Sequence, residues 1–229
     1  KDILEYREEG YLASAMINFL AFIGWNPGTE QEIFTKQELI EAFDINKIQK
    51  AGGAFNDEKL DWMNKEHLKK LGEDVVTKEI ISRLNKNSLT GEENFVRKVS
   101  KIIFEHISKW SDIDTMVGNG ELGFYFNKPE YESTLLAWKD DTMENVLKHL
   151  YWVKDRVSGA NDSDFVSPET TKAMIFDYAT ENGRGNVLWP LRVSLSGKDK
   201  SPDPFTLLYV FGKEESIARI ENAITKISK

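Results

Sequence analysis

The stretch Tyr11-Leu12-Ala13-Ser14-Ala15-Met16-Ile17-Asn18-Phe19-Leu20-Ala21-Phe22-Ile23-Gly24-Trp25 decides the fold class. Its apolar residues Leu12, Ala15, Met16, Phe19, Leu20 and Ile23 recur at steps of three and four. That is the period of one helix face, whereas a half-buried strand alternates every second residue. Gly24 and the turn Asn26-Pro27-Gly28 end the run, as residues that do not propagate a helix should. Ser14 and Asn18 interrupt it, and it falls short of the roughly 18–20 apolar residues a membrane span needs. The stretch reads as a core helix.

The same period continues outward. Lys36 to Phe43 is a short helix with Thr35 as its N-cap, and Asp44 to Lys50 is another, closed by Gly52-Gly53. Asn56 or Asp57 caps a helix to about Leu71 that buries Leu60, Met63 and Leu68. Helical spacing recurs over Val75–Leu84, Glu92–Trp110, Tyr131–Trp138, Thr142–Val157, Ser167–Asn182, Leu188–Leu195, Phe205–Phe211 and Glu214–Ile227. Gly118, Gly120 and Gly123 mark an irregular stretch, with Phe124, Tyr125 and Phe126 pinning it to the core. No alternating strand or βαβ pattern appears. The expectation is an all-α fold of two to three packed helical modules, spanning residues 1–75, 76–160 and 161–229. Gly72 and the loop Ser158–Ser167 are the expected boundaries.

Composition narrows the function. The chain has 229 residues, 40% hydrophobic and 30% charged, an ordinary globular balance. Its opening on Lys1, directly into helix-like sequence with no signal peptide, suggests a piece of something longer. Cysteine is absent, which excludes disulfides and thiolate metal sites and fits a cytoplasmic location. A net charge of −8 argues against phosphate contact over the whole surface. It does not exclude a local patch. Between Gly183 and Lys200, Arg184, Arg192, Lys198 and Lys200 face only Asp199, and Lys65, His67, Lys69 and Lys70 form a second basic cluster.

Catalytic and metal motifs are missing. His67, His106 and His149 lack the spacing of metal ligands and read as surface or helix-face residues. Ser111, Asp112 and Asp114 read as a helix cap and solvated turn. There is no phosphate-cradling glycine loop between a strand and a helix.

Longer motifs are more specific. Tyr6-Arg7-Glu8-Glu9-Gly10-Tyr11-Leu12, then Ala15, Asn18-Phe19-Leu20-Ala21 and Gly24-Trp25, resembles the segment after the ATP-binding loop of bacterial glutamyl-tRNA synthetases. Ile33-Phe34, Glu38-Leu39-Ile40 with Phe43, and Phe55-Asn56 with Lys59-Leu60-Asp61-Trp62-Met63-Asn64 follow in the family's order. Pro190-Leu191-Arg192-Val193-Ser194-Leu195-Ser196-Gly197 is similar to the family's P-L-R-x-A-L-T-G, and Ser201-Pro202-Asp203-Pro204-Phe205 to its [ST]-P-G-x-F. Leu208 to Ile220 continues the match, while residues 77–180 agree only loosely.

The resemblance implies the tRNA-binding C-terminal portion of a glutamate–tRNA ligase. Residues 1–75 would contact the stem, and 76–160 with 161–229 would form a helical cage for the anticodon loop. It implies tRNA-Glu as partner, tRNA-Gln as a possible second substrate, a monomer, and no membrane. No cofactor and no catalytic residue are expected in this portion; ATP and magnesium belong to the full-length enzyme. The terminal Lys226-Ile227-Ser228-Lys229 spells the family's K-x-S-K but lacks an H-x-G-H partner, and reads as a basic helix end. A free-standing helical interaction module descended from the same domain is the alternative.

Residue types suggest how RNA would be read. Arg192 offers a planar fork to a base edge or phosphate. Ser201 offers a hydroxyl beside a helix N-terminus, whose free N–H groups favour phosphate. Pro202, Pro204 and Phe205 would form an apolar rest for an unstacked base, worth roughly 1–3 kcal/mol if it stacks; core packing and a helix start are the alternative. The resemblance adds that matching family positions touch the anticodon. Asp203 replaces the motif's glycine, and would either weaken phosphate contact or pair with Arg192. Anchored on Phe95-Val96-Arg97, His106 falls where an arginine reads the third anticodon base in discriminating members, leaving the choice of tRNA open. In the stem-contact part Lys59 is the expected tRNA-backbone contact, and Trp62 is expected in the core.

Overall fold

The computed structural model describes residues 1–49 and 53–228. It is all-α: among the described residues no strand forms, and extended pairing is confined to one isolated bridge between Trp25 and Ile48. The chain divides into two compact units, Lys1–Gly120 and Glu121–Lys229. Gly72 and residues 158–167 lie inside these units.

The first unit holds α1 (Ile3–Glu8), α2 (Ala13–Gly24), α3 (Lys36–Ala42), α4 (Asp57–Lys69), α5 (Glu73–Lys86), α6 (Glu93–His106) and α7 (Ser111–Gly118). Thr35 and Asn56 cap α3 and α4 through their side chains, supplying acceptors to otherwise unpaired N–H groups. Helix α2 packs on α4, and Tyr6, Tyr11, Met16, Phe19, Leu60 and Met63 form their shared core. Helix α5 packs on α6.

The quoted motifs meet here. The backbone N–H of Leu12 donates to Asn64 Oδ1 at 2.8 Å, and Asn64 Nδ2 donates to the Ser108 carbonyl at 2.5 Å. The Tyr11 hydroxyl donates to Asp61, which also pairs with Lys109 at 3.1 Å. Gly10 sits at φ 84°, and a Cβ there would stand 2.5 Å from Trp110 Cβ. Only glycine fits this crossing. Asp61 and Asn64 are therefore the residues of the Lys59–Asn64 block that fix the architecture.

Four expectations are corrected in this unit. Trp62 is 40% exposed rather than core, because α4 turns Leu60 and Met63 inward and leaves Trp62 on its outer side. Leu20 is 49% exposed; the stripe on α2 is wider than the face its neighbours cover. Glu92–Trp110 is not one helix, since Ile107 is extended (φ −102°, ψ 146°) and separates α6 from α7. Asp44–Lys50 forms only a 3₁₀ turn at Ile45–Lys47, and Lys50, Ala51 and Gly52 of that expectation lie outside the described residues. The cluster of Ser111, Asp112 and Asp114 is structural: Asp112 accepts the N–H groups of Ser108 and Lys109, and Asp114 pairs with Arg83.

The second unit holds α8 (Gly123–Phe126), α9 (Met143–Ser158), α10 (Pro168–Asn182), α11 (Arg184–Ser196) and α12 (Pro204–Ile227). Helix α11 packs against α9, α10 and α12. Val187, Leu191, Leu195, Leu207 and Ile220 are fully enclosed. At Gly212 the backbone leaves helical geometry (φ 68°, ψ −173°), so α12 is two helical stretches, as the gap between Phe211 and Glu214 implies. Tyr131–Trp138 folds only as a 3₁₀ turn at Ser133–Leu136.

Two of the histidines are not surface residues. His67 is buried with Nε2 3.1 Å from Asn18 Oδ1, and His149 is buried with Nδ1 3.0 Å from the Tyr178 hydroxyl. Burial pushes both imidazoles below their ordinary pKa.

Candidate nucleic-acid interface

Arg192 lies on α11, whose ends are set by glycine: Gly183 precedes it at φ 91° and Gly197 follows in the left-handed region at φ 70°. A Cβ on Gly197 would come within 2.7 Å of Pro129 Cβ. The turn it permits is held by Ser196, whose Oγ donates to the Arg192 carbonyl at 2.8 Å and accepts from the Lys198 N–H at 3.2 Å. Arg192 is half-buried, and its Nε is enclosed with no hydrogen-bond partner. An enclosed N–H left unpaired costs about 1–3 kcal/mol, and such a group in a folded chain calls for a reason. Like Trp25, Tyr131 and Ser216, Tyr125 also presents an enclosed, unpaired group, in its case the hydroxyl. Burial, and secondarily the charge of Asp203, raises its pKa.

The Ser201–Phe205 turn differs from its expected form. Asp203 does not reach for Arg192. Its Oδ1 accepts the N–H groups of Phe205 and Thr206 at 3.0 and 3.1 Å, and its Oδ2 accepts the Thr206 hydroxyl at 2.6 Å. The carboxylate thus occupies the N–H groups at the start of α12 that were expected to receive phosphate beside Ser201. The Ser201 hydroxyl donates to the Pro202 carbonyl at 3.2 Å. Pro204 is buried as the first residue of α12, and Phe205 is buried edge-on to Phe176 at 6.3 Å. Both pack in the core, so exposed Asp203 with half-buried Ser201 and Pro202 is what the turn presents to solvent.

Beside this turn Phe176 is half-buried, with Lys172 Nζ 4.5 Å and the Arg184 guanidinium 4.6 Å from its ring centroid. Cations at that range are attracted to the ring, and they hold positive charge on the surface of an acidic chain. Arg184 belongs to the basic run at 183–200, whereas Lys172 and Phe176, four residues apart on one face of α10, carry no motif of their own.

Arg219 was also missed. It is 4% exposed, pairs through Nε with Glu215 at 2.7 Å, and donates Nη1 to the carbonyls of Phe124 and Leu195 at 2.8 and 2.6 Å. Nη2 reaches the Asn127 carbonyl at 3.3 Å, and the guanidinium lies 3.9 Å from the Phe211 ring centroid. Leu195 is in the last turn of α11, so this buried arginine anchors the end of the helix that carries Arg192. Its signal was a charged residue among Ser216, Ile220 and Ala223 on the apolar face of α12.

In the first unit Lys59 pairs with Glu32 at 2.6 Å and lies 4.1 Å from the Trp62 ring centroid. His106 is exposed at the last position of α6. The basic cluster of Lys65, His67, Lys69 and Lys70 is dispersed: His67 is buried, Lys65 donates to the Phe104 carbonyl and Lys69 pairs with Glu66. Near the C-terminus Lys226 donates to the Tyr131 carbonyl at 3.4 Å, and Lys229 lies outside the described residues. No group of His, Asp and Glu among the described residues is arranged to hold a metal ion.

Residues 70–224, more than half of the chain, match the anticodon binding domain family. The chain belongs to that family. Residues 1–62 match a second family, the catalytic domain of the class I tRNA synthetases for E and Q. A glutamate–tRNA ligase of Flavobacterium johnsoniae is 32% identical over 97% of the chain, and one of Clostridium botulinum is 33% identical over 96%. The crystal structure of a glutamate tRNA ligase from Elizabethkingia meningosepticum, in complex with its amino acid, superposes with a TM-score of 0.77 at 33% identity over 96% of the chain. The chain spans only 42–44% of the length of these relatives. Within the anticodon binding domain match fall Arg192, the Ser201–Phe205 turn, Arg219 and His106.

Proposed function

We propose that the chain is the tRNA-reading portion of a glutamate–tRNA ligase, which attaches glutamate to tRNA-Glu using ATP. The observation that carries the reading is half-buried Arg192, held on a helix that glycine ends inside the anticodon binding domain match. RNA loops are read by splaying out bases and bonding their edges, and a guanidinium fork supplies two parallel donors to such an edge. Ser201 and Pro202 lie in the neighbouring turn, and Lys172 and Arg184, over the Phe176 ring, supply positive charge beside it. Pro204 and Phe205 support this turn from the core. His106 faces solvent on α6 as the residue that sets the choice between tRNA-Glu and tRNA-Gln. Residues 1–75 act as the stem-contact module, with Lys59 approaching the tRNA backbone from its place between Glu32 and Trp62. Residues 76–160 and 161–229 form the anticodon cage. The ligase works as a cytoplasmic monomer, and its ATP and magnesium are held outside this region. No helix among the described residues is long and apolar enough to cross a membrane.

Binding of labelled tRNA-Glu and tRNA-Gln, followed by fluorescence anisotropy at low salt, tests this. The intact chain binds tRNA-Glu, and Arg192→Ala weakens binding about tenfold, in line with roughly 1–3 kcal/mol for a base-reading arginine. A folded chain that binds neither tRNA would falsify the reading and favour a free-standing interaction module.

A further inference from the structure

Helix α4 ends at Lys69, and Gly72 at φ 84° turns the chain into α5, a conformation open to glycine without strain. The first turns of α5 and the last turns of α6 enclose a cavity of about 330 Å³, with Lys69 in its lining. That is within the roughly 300–1,000 Å³ of small-molecule sites. All three helices belong to the first unit. Val76 and Phe104 give the lining an apolar wall, and Lys65 Nζ lies 3.9 Å from the Phe104 ring centroid. Thr77 is 5% exposed, yet its hydroxyl has no hydrogen-bond partner among the described residues. Ser100, by contrast, donates to the Val96 carbonyl at 2.7 Å. No side chain caps α5, so its first N–H groups remain without a side-chain acceptor, the setting in which helix N-termini take phosphate. Lys69 and Lys101 line the same cavity, held by Glu66 and Glu73 at 2.6 and 2.8 Å, and Glu105 adds a further carboxylate.

These features select among ligands. A bare phosphate would leave Thr77 and the apolar wall without a partner, and a purely apolar molecule would leave the Thr77 hydroxyl and the N–H groups unpaired. A planar base carrying one phosphate matches all of them, since bases pack on aromatic side chains and bond through their edges. We propose that this cavity binds a nucleoside monophosphate unit. The base packs on Phe104 and Val76 with an edge on the Thr77 hydroxyl. The phosphate sits at the start of α5, displacing Glu73 from Lys101. A nucleotide splayed from tRNA and a free nucleotide share that chemistry. Only the first rests on the proposed tRNA reading, and neither involves Arg192.

The test titrates the 229-residue chain with AMP, GMP, CMP and UMP in turn and follows its backbone amide shifts by NMR. At least one nucleotide should move Glu73, Asp74, Thr77 and Phe104 saturably in the millimolar range. Thr77→Val should weaken that nucleotide about fivefold, the effect of one neutral hydrogen bond. Glu73→Gln should tighten it severalfold by releasing Lys101, and should leave the matching nucleoside, which has no phosphate, unchanged. A gain of this kind does not arise from damaged folding. Saturating tRNA-Glu separates the sources. Loss of the free-nucleotide shifts, with tRNA binding weakened by Thr77→Val, assigns the cavity to a tRNA nucleotide; persistence of the shifts assigns it to a free one. A chain that binds no tRNA would sink the tRNA reading and leave the free-nucleotide site standing. No saturable shift with any of the four nucleotides, in a chain whose amide spectrum is that of a folded protein, would overturn the proposal. So would shifts whose midpoint neither Thr77→Val nor Glu73→Gln alters.

Discussion

Arg219 shows how one side chain can govern a site it does not belong to. It is buried, yet its charge is balanced by Glu215 at its mouth and its Nη atoms satisfy the carbonyls of Phe124, Leu195 and Asn127. Burial lowers its pKa, opposed by the Glu215 hydrogen bond, and arginine stays protonated under such shifts. Arg219→Ala leaves these carbonyls without their donors and opens space beside Phe211. Truncating one partner of an enclosed, hydrogen-bonded charge costs about 3 kcal/mol. Urea unfolding followed by tryptophan fluorescence should show that loss in the second unit, with Arg219→Lys intermediate because an ammonium cannot reach all three carbonyls at once. If the midpoint moved no more than for the exposed Arg184→Ala, the anchoring role would have to be abandoned.

At the scale of elements, α11 depends on a single glycine to stop and turn. Gly197→Ala puts a Cβ at φ 70° and against Pro129, so strain and clash act together. The expected loss is about 2 kcal/mol, read as a lower thermal midpoint, with tRNA affinity falling further than stability as Arg192 loses its placement. Unchanged stability would mean that Pro129 yields and the turn is plastic. Elements were also where the sequence was most legible. Long helices with apolar stripes announced themselves, and Thr35, Asn56, Thr142 and Ser167 cap where their side chains indicate. The short 3₁₀ turns at Ile45–Lys47 and Ser133–Leu136 did not, because a few residues at helical spacing cannot distinguish one turn from three. A stripe also shows that a face is apolar but not whether a neighbour covers it, which is why Leu20 and Trp62 were misplaced. Arg192 was visible as a residue in a motif. Its unpaired Nε, the capping role of Asp203 and the burial of Phe205 depend on contacts made across helices, and no local spacing encodes them.

At the scale of the whole molecule, the proposed function has a chain of net charge −8 meet a polyanion. Long-range attraction is therefore weak or reversed, and affinity has to come from a few cations held close to the RNA. The segment 183–200 carries four basic residues, and Lys172 adds a fifth beside it. Each phosphate neutralised on a single strand contributes about −0.7 to the slope of log K against log salt. With three or four of these cations engaged, the slope should be about −2 to −3, far shallower than for a basic nucleic-acid-binding domain. Anisotropy titrations with tRNA-Glu between low and physiological salt measure it directly. Lys172→Ala and Arg184→Ala should each flatten the slope by about 0.7. Arg192→Ala should weaken binding at every salt concentration while changing the slope less, since a base-edge contact releases no counterion. If Arg192→Ala changes only the slope, and equally for tRNA-Glu and an unrelated tRNA, then Arg192 contacts phosphate and the reading of bases passes to other residues of the turn.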